Sequence, residues 1–232
     1  MAEQTLRRTP LSRDRILRAA VALADEGGIE SLSMRNLAQE LGVVPMALYK
    51  HVANKDELVE GMIDVVVGEI DAPAPGAGWR EVVRRRILSA RQALLRHPWA
   101  PLAIESRATA TPVVLAYLDS MVGTLRAGGF SADLAHHVMH AMGSRMLGFS
   151  QELFDGSRQA GRSGTANPEP VAAPPPDFAD RFPHLAEVAG AAAHDDGSVV
   201  GPGCDDQFEF EFALDLLLEG IERLQRQGWT SH

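Results

Sequence analysis

The sequence predicts an all-α protein in two parts, a small N-terminal unit of short helices and a larger helical bundle behind it. Three observations carry that prediction. Apolar residues recur at spacings of three and four along the chain, glycine and proline interrupt the pattern at helix-length intervals, and the charge divides unevenly between the two parts. Residues 1–55 hold eight Arg and Lys against six Asp and Glu, a balance of +2, whereas residues 56–232 hold 14 against 25, a balance of −11. The net charge of −9 therefore does not exclude nucleic acid, because binding needs a local basic surface, and only the N-terminal part offers one.

The first helix is expected at 12–26, where Ile16, Ala20 and Leu23 stack on one face until Gly27 and Gly28 stop it. A second, of about eight residues, starts at Leu32-Ser33, with the Ser33 hydroxyl as cap and Leu37, Ala38 and Leu41 as its buried face up to Gly42. After Val43 a third begins within about three residues, with Leu48 and Val52 inward and Tyr49, Lys50 and His51 outward. Asn54 caps a fourth, Glu57 completes a capping box, and Lys55 beside the cap reaches toward a phosphate. Two short helices around a tight glycine turn are the helix-turn-helix signature, in which the third helix reads base edges and the second crosses the backbone. Spacing alone equally allows a plain helical subdomain.

The residue identities add a resemblance. The stretch Gly28 to Val43 (GIESLSMRNLAQELGV) and the stretch Leu48 to Lys55 (LYKHVANK) closely resemble the TetR family of regulators, over about residues 12–65. That likeness implies a homodimer that binds palindromic double-stranded operator DNA through residues 1–70 (core 12–57) and is released by a small-molecule effector held in residues 79–232. It places Ser33, Tyr49, His51 and Lys55 at phosphates and Arg35 at a phosphate or base edge. The reading helix departs from the namesake repressor, because Val44, Pro45, Met46 and Ala47 cannot make bidentate hydrogen bonds to bases. Readout then leans on Arg35, on Lys50, on apolar contact with thymine methyls, and on DNA shape.

Pro and Gly between Asp71 and Gly78 separate the fourth helix from the fifth, and further helices are expected at 79–96, 101–109, 112–127, 131–155, 183–193 and 205–227. Residues 156–180 open on a Gly, Ser, Ala and Pro composition without periodicity and read as a mobile loop. The last helix is too apolar for a single core-facing stripe, as is 131–155, so a second partner is needed for each. The resemblance makes that partner a second copy, and Met146, Phe210, Leu214, Leu217, Leu218 and Ile221 are the candidate dimer contacts.

Trp99, Tyr117, Met121, Met139, Met142 and Phe149 are candidates to line an effector pocket, being soft or aromatic, and equally suit an ordinary core. Arg107, Glu105 and Arg145 are possible polar anchors. Among His136, His137 and His140, His136 and His140 share a helix face, but without Cys or clustered carboxylates a solvated face is the expectation, so no metal and no cofactor is assigned; His140 is kept as an effector contact. Arg84-Arg85-Arg86 reads as a surface charge run. By family position Ile104 stands where the tetracycline-binding members have a histidine ligand, which implies a different and largely apolar effector.

No run approaches the ~18 apolar residues of a membrane span, Met1–Ser12 lacks an apolar core, and the single cysteine, Cys204, excludes an intrachain disulfide, so a cytoplasmic, non-membrane protein is expected. No nucleophile elbow, P-loop, dinucleotide fingerprint or zinc-protease motif is present, which disfavours an enzyme. A dimeric DNA-binding protein without ligand response stays open, because an apolar pocket and an apolar core look alike in sequence.

Overall fold

The computed structural model describes residues 10–148, 177–192 and 206–232. Among these the regular structure is helical: α1 (Arg13–Gly27), a 3₁₀ turn (Ile29–Ser31), α2 (Met34–Glu40), α3 (Pro45–Leu48), α4 (Lys55–Gly68), α5 (Trp79–Arg96), α6 (Ala100–Glu105), α7 (Pro112–Ala127), α8 (Ala132–Gly148), α9 (Phe178–Arg181), α10 (Pro183–Ala192) and α11 (Asp206–Arg226). The chain divides into two compact units, residues 1–139 with 230–232 and residues 140–229.

In the first unit the caps are those the side chains dictate. Ser12 accepts the Arg15 N–H at 3.3 Å to start α1, and Thr111 accepts the Val114 N–H at 3.3 Å to start α7, whose first residue, Pro112, lacks the N–H that would go unpaired there. On α1 the buried face is Ile16, Leu17, Ala20, Val21 and Ala24. These join Leu37, Leu48, Leu58, Met62, Ile63 and Val66, and the same cluster continues into Ala93, Trp99, Ala100 and Ala103 of the following helices. Each fully buried Leu or Ile in it contributes roughly 1.5–3 kcal/mol, so one core holds α1 to α6 together. Gly61 of α4 faces α1 with no room for a side chain, since an added Cβ would lie 2.6 Å from Leu17 Cδ2.

Two expectations need correction. The helix predicted over 101–109 ends at Glu105, because the Ser106 hydroxyl turns back onto the Ala103 carbonyl at 2.9 Å and competes with the helical ladder. The loop predicted over 156–180 gives way at its end to α9, starting at Phe178; residues 156–176 lie outside the described residues, as do 149–155 of the long helix.

In the second unit α11 resolves its two apolar stripes. Phe210, Leu214, Leu218 and Ile221 are buried within the single chain, while Phe208, Phe212 and Leu216 are exposed. The Arg145 guanidinium lies over the Phe210 ring at 5.1 Å and donates to the Glu209 carbonyl at 3.3 Å.

Candidate functional site

The helix-turn-helix is built by local chemistry. Ser33 caps α2, accepting the Asn36 N–H at 3.1 Å, and is half-buried by that role. The turn between α2 and α3 needs Gly42 at φ +65°, where a side chain is strained, and the Val43 N–H closes it onto the Ala38 carbonyl at 2.9 Å. Pro45 opens α3, and Leu48 and Val52 anchor it in the core, leaving the rest of the segment outside. Val44 is 67% exposed and Met46 71%, and Arg35, Pro45, Tyr49, Lys50 and Lys55 are exposed beside them; Ala47 and His51 are half-buried. Asn54 accepts the Glu57 N–H at 2.8 Å while the Glu57 carboxylate accepts the Ala53 N–H at 2.7 Å, a reciprocal cap that fixes the start of α4 beside Lys55. The residues singled out for DNA are thus exposed or half-buried, cations and apolar side chains together, on elements anchored to the core.

Behind it, α4 is tied to the segment between α6 and α7 at two points. Arg107 Nη1 donates to Asp56 at 3.3 Å, and the Thr111 hydroxyl donates to Asp64 through a very short hydrogen bond. Between these ties a cavity of about 90 Å³ is lined by Ile63, Ile104, Arg107, Thr109, Ala110, Thr111 and Val114. Effector pockets are several hundred Å³, so this space suits part of a ligand rather than all of one. Ile104 and Arg107 were singled out from the sequence; Thr109, Ala110 and Thr111 were not, because they fall between α6 and α7, and Ile63 and Val114 were not, because they lie on separate helices whose meeting no local spacing announces.

The remaining candidates are scattered. Trp99 sits in the core cluster and donates its indole N–H to Asp25 at 2.7 Å; Met121 and Met142 are buried, Met139 is half-buried, and Phe149 lies outside the described residues. Glu105 is exposed. His136, His137 and His140 are exposed, His137 standing 3.6 Å from Asp133. His97, not singled out, is buried between Asp25 at 2.9 Å and Glu69 at 3.3 Å, and Arg96 also holds Glu69 at 2.6 Å, so α1, α4 and the end of α5 meet there. Burial raises Glu69, but the hydrogen bonds from Arg96 and His97 outweigh it and hold the carboxyl below its usual range.

The arginine run also needs correction. Arg85 is exposed and pairs with Glu81 at 2.7 Å, but Arg86 is only 5% exposed, because it falls on the stripe Val82, Val83, Ile87 and Ala90 that α5 turns inward. Its Nη1 donates to Ser120 at 3.0 Å and its guanidinium lies 4.6 Å over the Tyr117 ring. The stripe was visible in the sequence, yet three consecutive arginines disguised which one belonged to it.

Of the candidate dimer contacts, Phe210, Leu214, Leu218 and Ile221 are buried within the single chain, and Leu217 and Met146 are half-buried. The exposed apolar residues of α11 are Phe208, Phe212 and Leu216, and Leu216 also lines a shallow groove with Glu219, Gly220, Arg223 and Arg226.

Residues 16–62 match the family described as bacterial regulatory proteins, tetR family, and residues 72–225 match the tetracyclin repressor-like C-terminal domain. An HTH-type transcriptional regulator of Saccharopolyspora erythraea is 38% identical over 121 residues, 52% of this chain and 51% of that protein, so the match spans about half its length. The HTH-type transcriptional repressor DrrR1 of Streptomyces coeruleorubidus is 28% identical over 227 residues, covering 94% of this chain and 80% of that one. Among solved structures, the TetR family protein ActR of Streptomyces coelicolor in complex with actinorhodin superposes with a TM-score of 0.65 at 27% identity, over 93% of this chain and 98% of that one.

Proposed function

The chain belongs to the TetR family of bacterial regulatory proteins, and on that premise we propose that it is a one-component transcriptional repressor that binds a palindromic operator as a homodimer and lets go when a small molecule occupies its helical sensing domain. It acts by binding and not by catalysis, in the cytoplasm where its operator lies. The observation that carries this reading is the surface at α2, α3 and the start of α4. Arg35, Lys50 and Lys55 flank the exposed Val44 and Met46, so cations for phosphates surround apolar groups for thymine methyls.

Two reading helices in a dimer must match half-sites ~34 Å apart or a multiple of it, so a small change in their spacing releases the DNA. The part that changes the spacing is α4, whose Leu58 and Met62 are locked in the core while Asp56 and Asp64 are held by Arg107 and Thr111. Asp56 is exposed, and such a pair adds little stability, so its role is to register α4 against the sensing segment. A ligand that prefers the released spacing ~100-fold weakens operator binding by about 2.7 kcal/mol, within ordinary allosteric coupling. The dimer forms through the exposed apolar face of α11 with α8, and the effector is an organic molecule of moderate size, like the actinorhodin with which ActR was solved in complex.

The test is selection of binding sites by the full-length protein from a random duplex library. Enrichment of an inverted repeat, with affinity falling steeply with salt, is the expected result. Enrichment of no sequence would remove the repressor reading.

A further inference from the structure

Three arginines of the first unit are answered by carboxylates: Arg85 by Glu81, Arg96 by Glu69 and Arg107 by Asp56. Arg86 is far more buried than these, and among the described residues no carboxylate pairs with it. Its contacts are the Ser120 hydroxyl and the face of Tyr117, both neutral, and its Nε has no acceptor. The Tyr117 hydroxyl is buried as well and has no hydrogen-bond partner. Two adjacent helices, α5 and α7, thus hold a buried cation with an unspent Nε donor and a buried phenol with no hydrogen bond, a costly arrangement for folding alone.

We propose that Arg86, Tyr117 and Ser120 form the anchor for an anionic group of the effector, and that the effector is an organic acid whose carboxylate enters here. A carboxylate takes two parallel N–H donors from a guanidinium fork and has a lone pair left for a phenol, which matches the Nε and hydroxyl that now lack acceptors. Burial lowers the Arg86 pKa, but from so high a value that the group stays charged at neutral pH, and burial raises Tyr117, which keeps it a donor. Val83, Ile87 and Met121 are buried on the same two helices, an apolar surround that suits a non-polar remainder of the ligand. The inference rests on the sensing role proposed for these helices and changes the effector from simply apolar to amphiphilic and acidic.

Full-length protein is titrated with benzoate, 2-naphthoate and 4-biphenylcarboxylate, each beside its primary amide and beside inorganic phosphate, with thermal unfolding as readout and binding to the selected operator measured separately. At least one acid should stabilise the wild type and bind about tenfold tighter than its amide. Arg86→Met should erase that preference, Tyr117→Phe should reduce it several-fold, and Arg85→Gln should leave it unchanged. Should Arg86→Met not fold, Tyr117→Phe decides. No response to any acid, equal response to acid and amide, equal stabilisation by phosphate, or an unaltered preference in the variants overturns the proposal. Operator binding that persists while the acids fail sinks this inference alone, whereas loss of operator binding in the ligand-free protein sinks the repressor reading.

Discussion

Two places on this chain leave large apolar side chains in water, the start of α3 and one face of α11. Val44 and Met46 at the first are about as exposed as Phe208 and Leu216 at the second, so exposure alone does not say what covers either. Their neighbours do. The α3 surface is flanked by Arg35, Lys50 and Lys55, which suits a phosphate backbone, while the α11 face is interleaved with Glu209, Glu211, Asp215 and Glu219, which repels one; in the proposed dimer it is the apolar residues of that face that meet the second copy. Apolar exposure marks an interface; the charge around it selects the occupant.

The sharpest way to break that comparison is on α11. Leu216→Glu, on the open face, should leave helicity intact by circular dichroism and turn the dimer into a monomer by light scattering, whereas Leu218→Glu, on the covered stripe, should unfold the chain, since burying an unpaired carboxylate costs several kcal/mol. A folded dimer for both would reassign the face. Next in size, Lys55→Ala should weaken operator binding and flatten its salt dependence by about one unit of slope, with thermal stability within about 0.5 kcal/mol of wild type. Unchanged affinity and slope would mean that the docking surface lies elsewhere. Met46→Ser should alter the selected operator sequence at one position while costing only about 1 kcal/mol of affinity, checked by repeating the site selection.

The smallest effect belongs to neither face and serves as the control. Glu69 is held below its ordinary value of 4.5, so its contribution to stability is complete above that pH and is lost as the pH falls through the depressed value. Glu69→Gln should therefore be less stable than wild type above about pH 4.5 and converge with it in more acid solution, as read by denaturant melts at fixed pH. A difference that widened on acidification would reverse the assigned sign.

What could be seen in the sequence was what local chemistry decides. Ser33, Gly42, Asn54 and Glu57 announce their turns and caps by residue type, and the structure has each of them in that role. The order and most bounds of the helices follow from periodicity in the same way. Choices between equivalent faces were not visible. On α11 both Phe210-Leu214-Leu218 and Phe208-Phe212-Leu216 are apolar at helical spacing, so spacing cannot say which stripe turns inward. The cavity escaped for another reason: three of its seven lining residues are Thr109, Ala110 and Thr111, whose meeting with Ile63 depends on how α4 docks rather than on any local pattern.

The single core that runs from Ile16 to Ala103 has a consequence for anyone wishing to exchange recognition heads between regulators. A graft cut at the Pro/Gly segment, Asp71–Gly78, looks natural in sequence, yet it severs Leu58, Met62 and Ile63 from Ala93, Trp99 and Ala100, and strands Asp25 without His97 and Trp99. Both halves of such a chimera would carry raw apolar surface that the foreign partner was never shaped to meet. A junction after Glu105 keeps that core whole and gives the transplanted head its own floor.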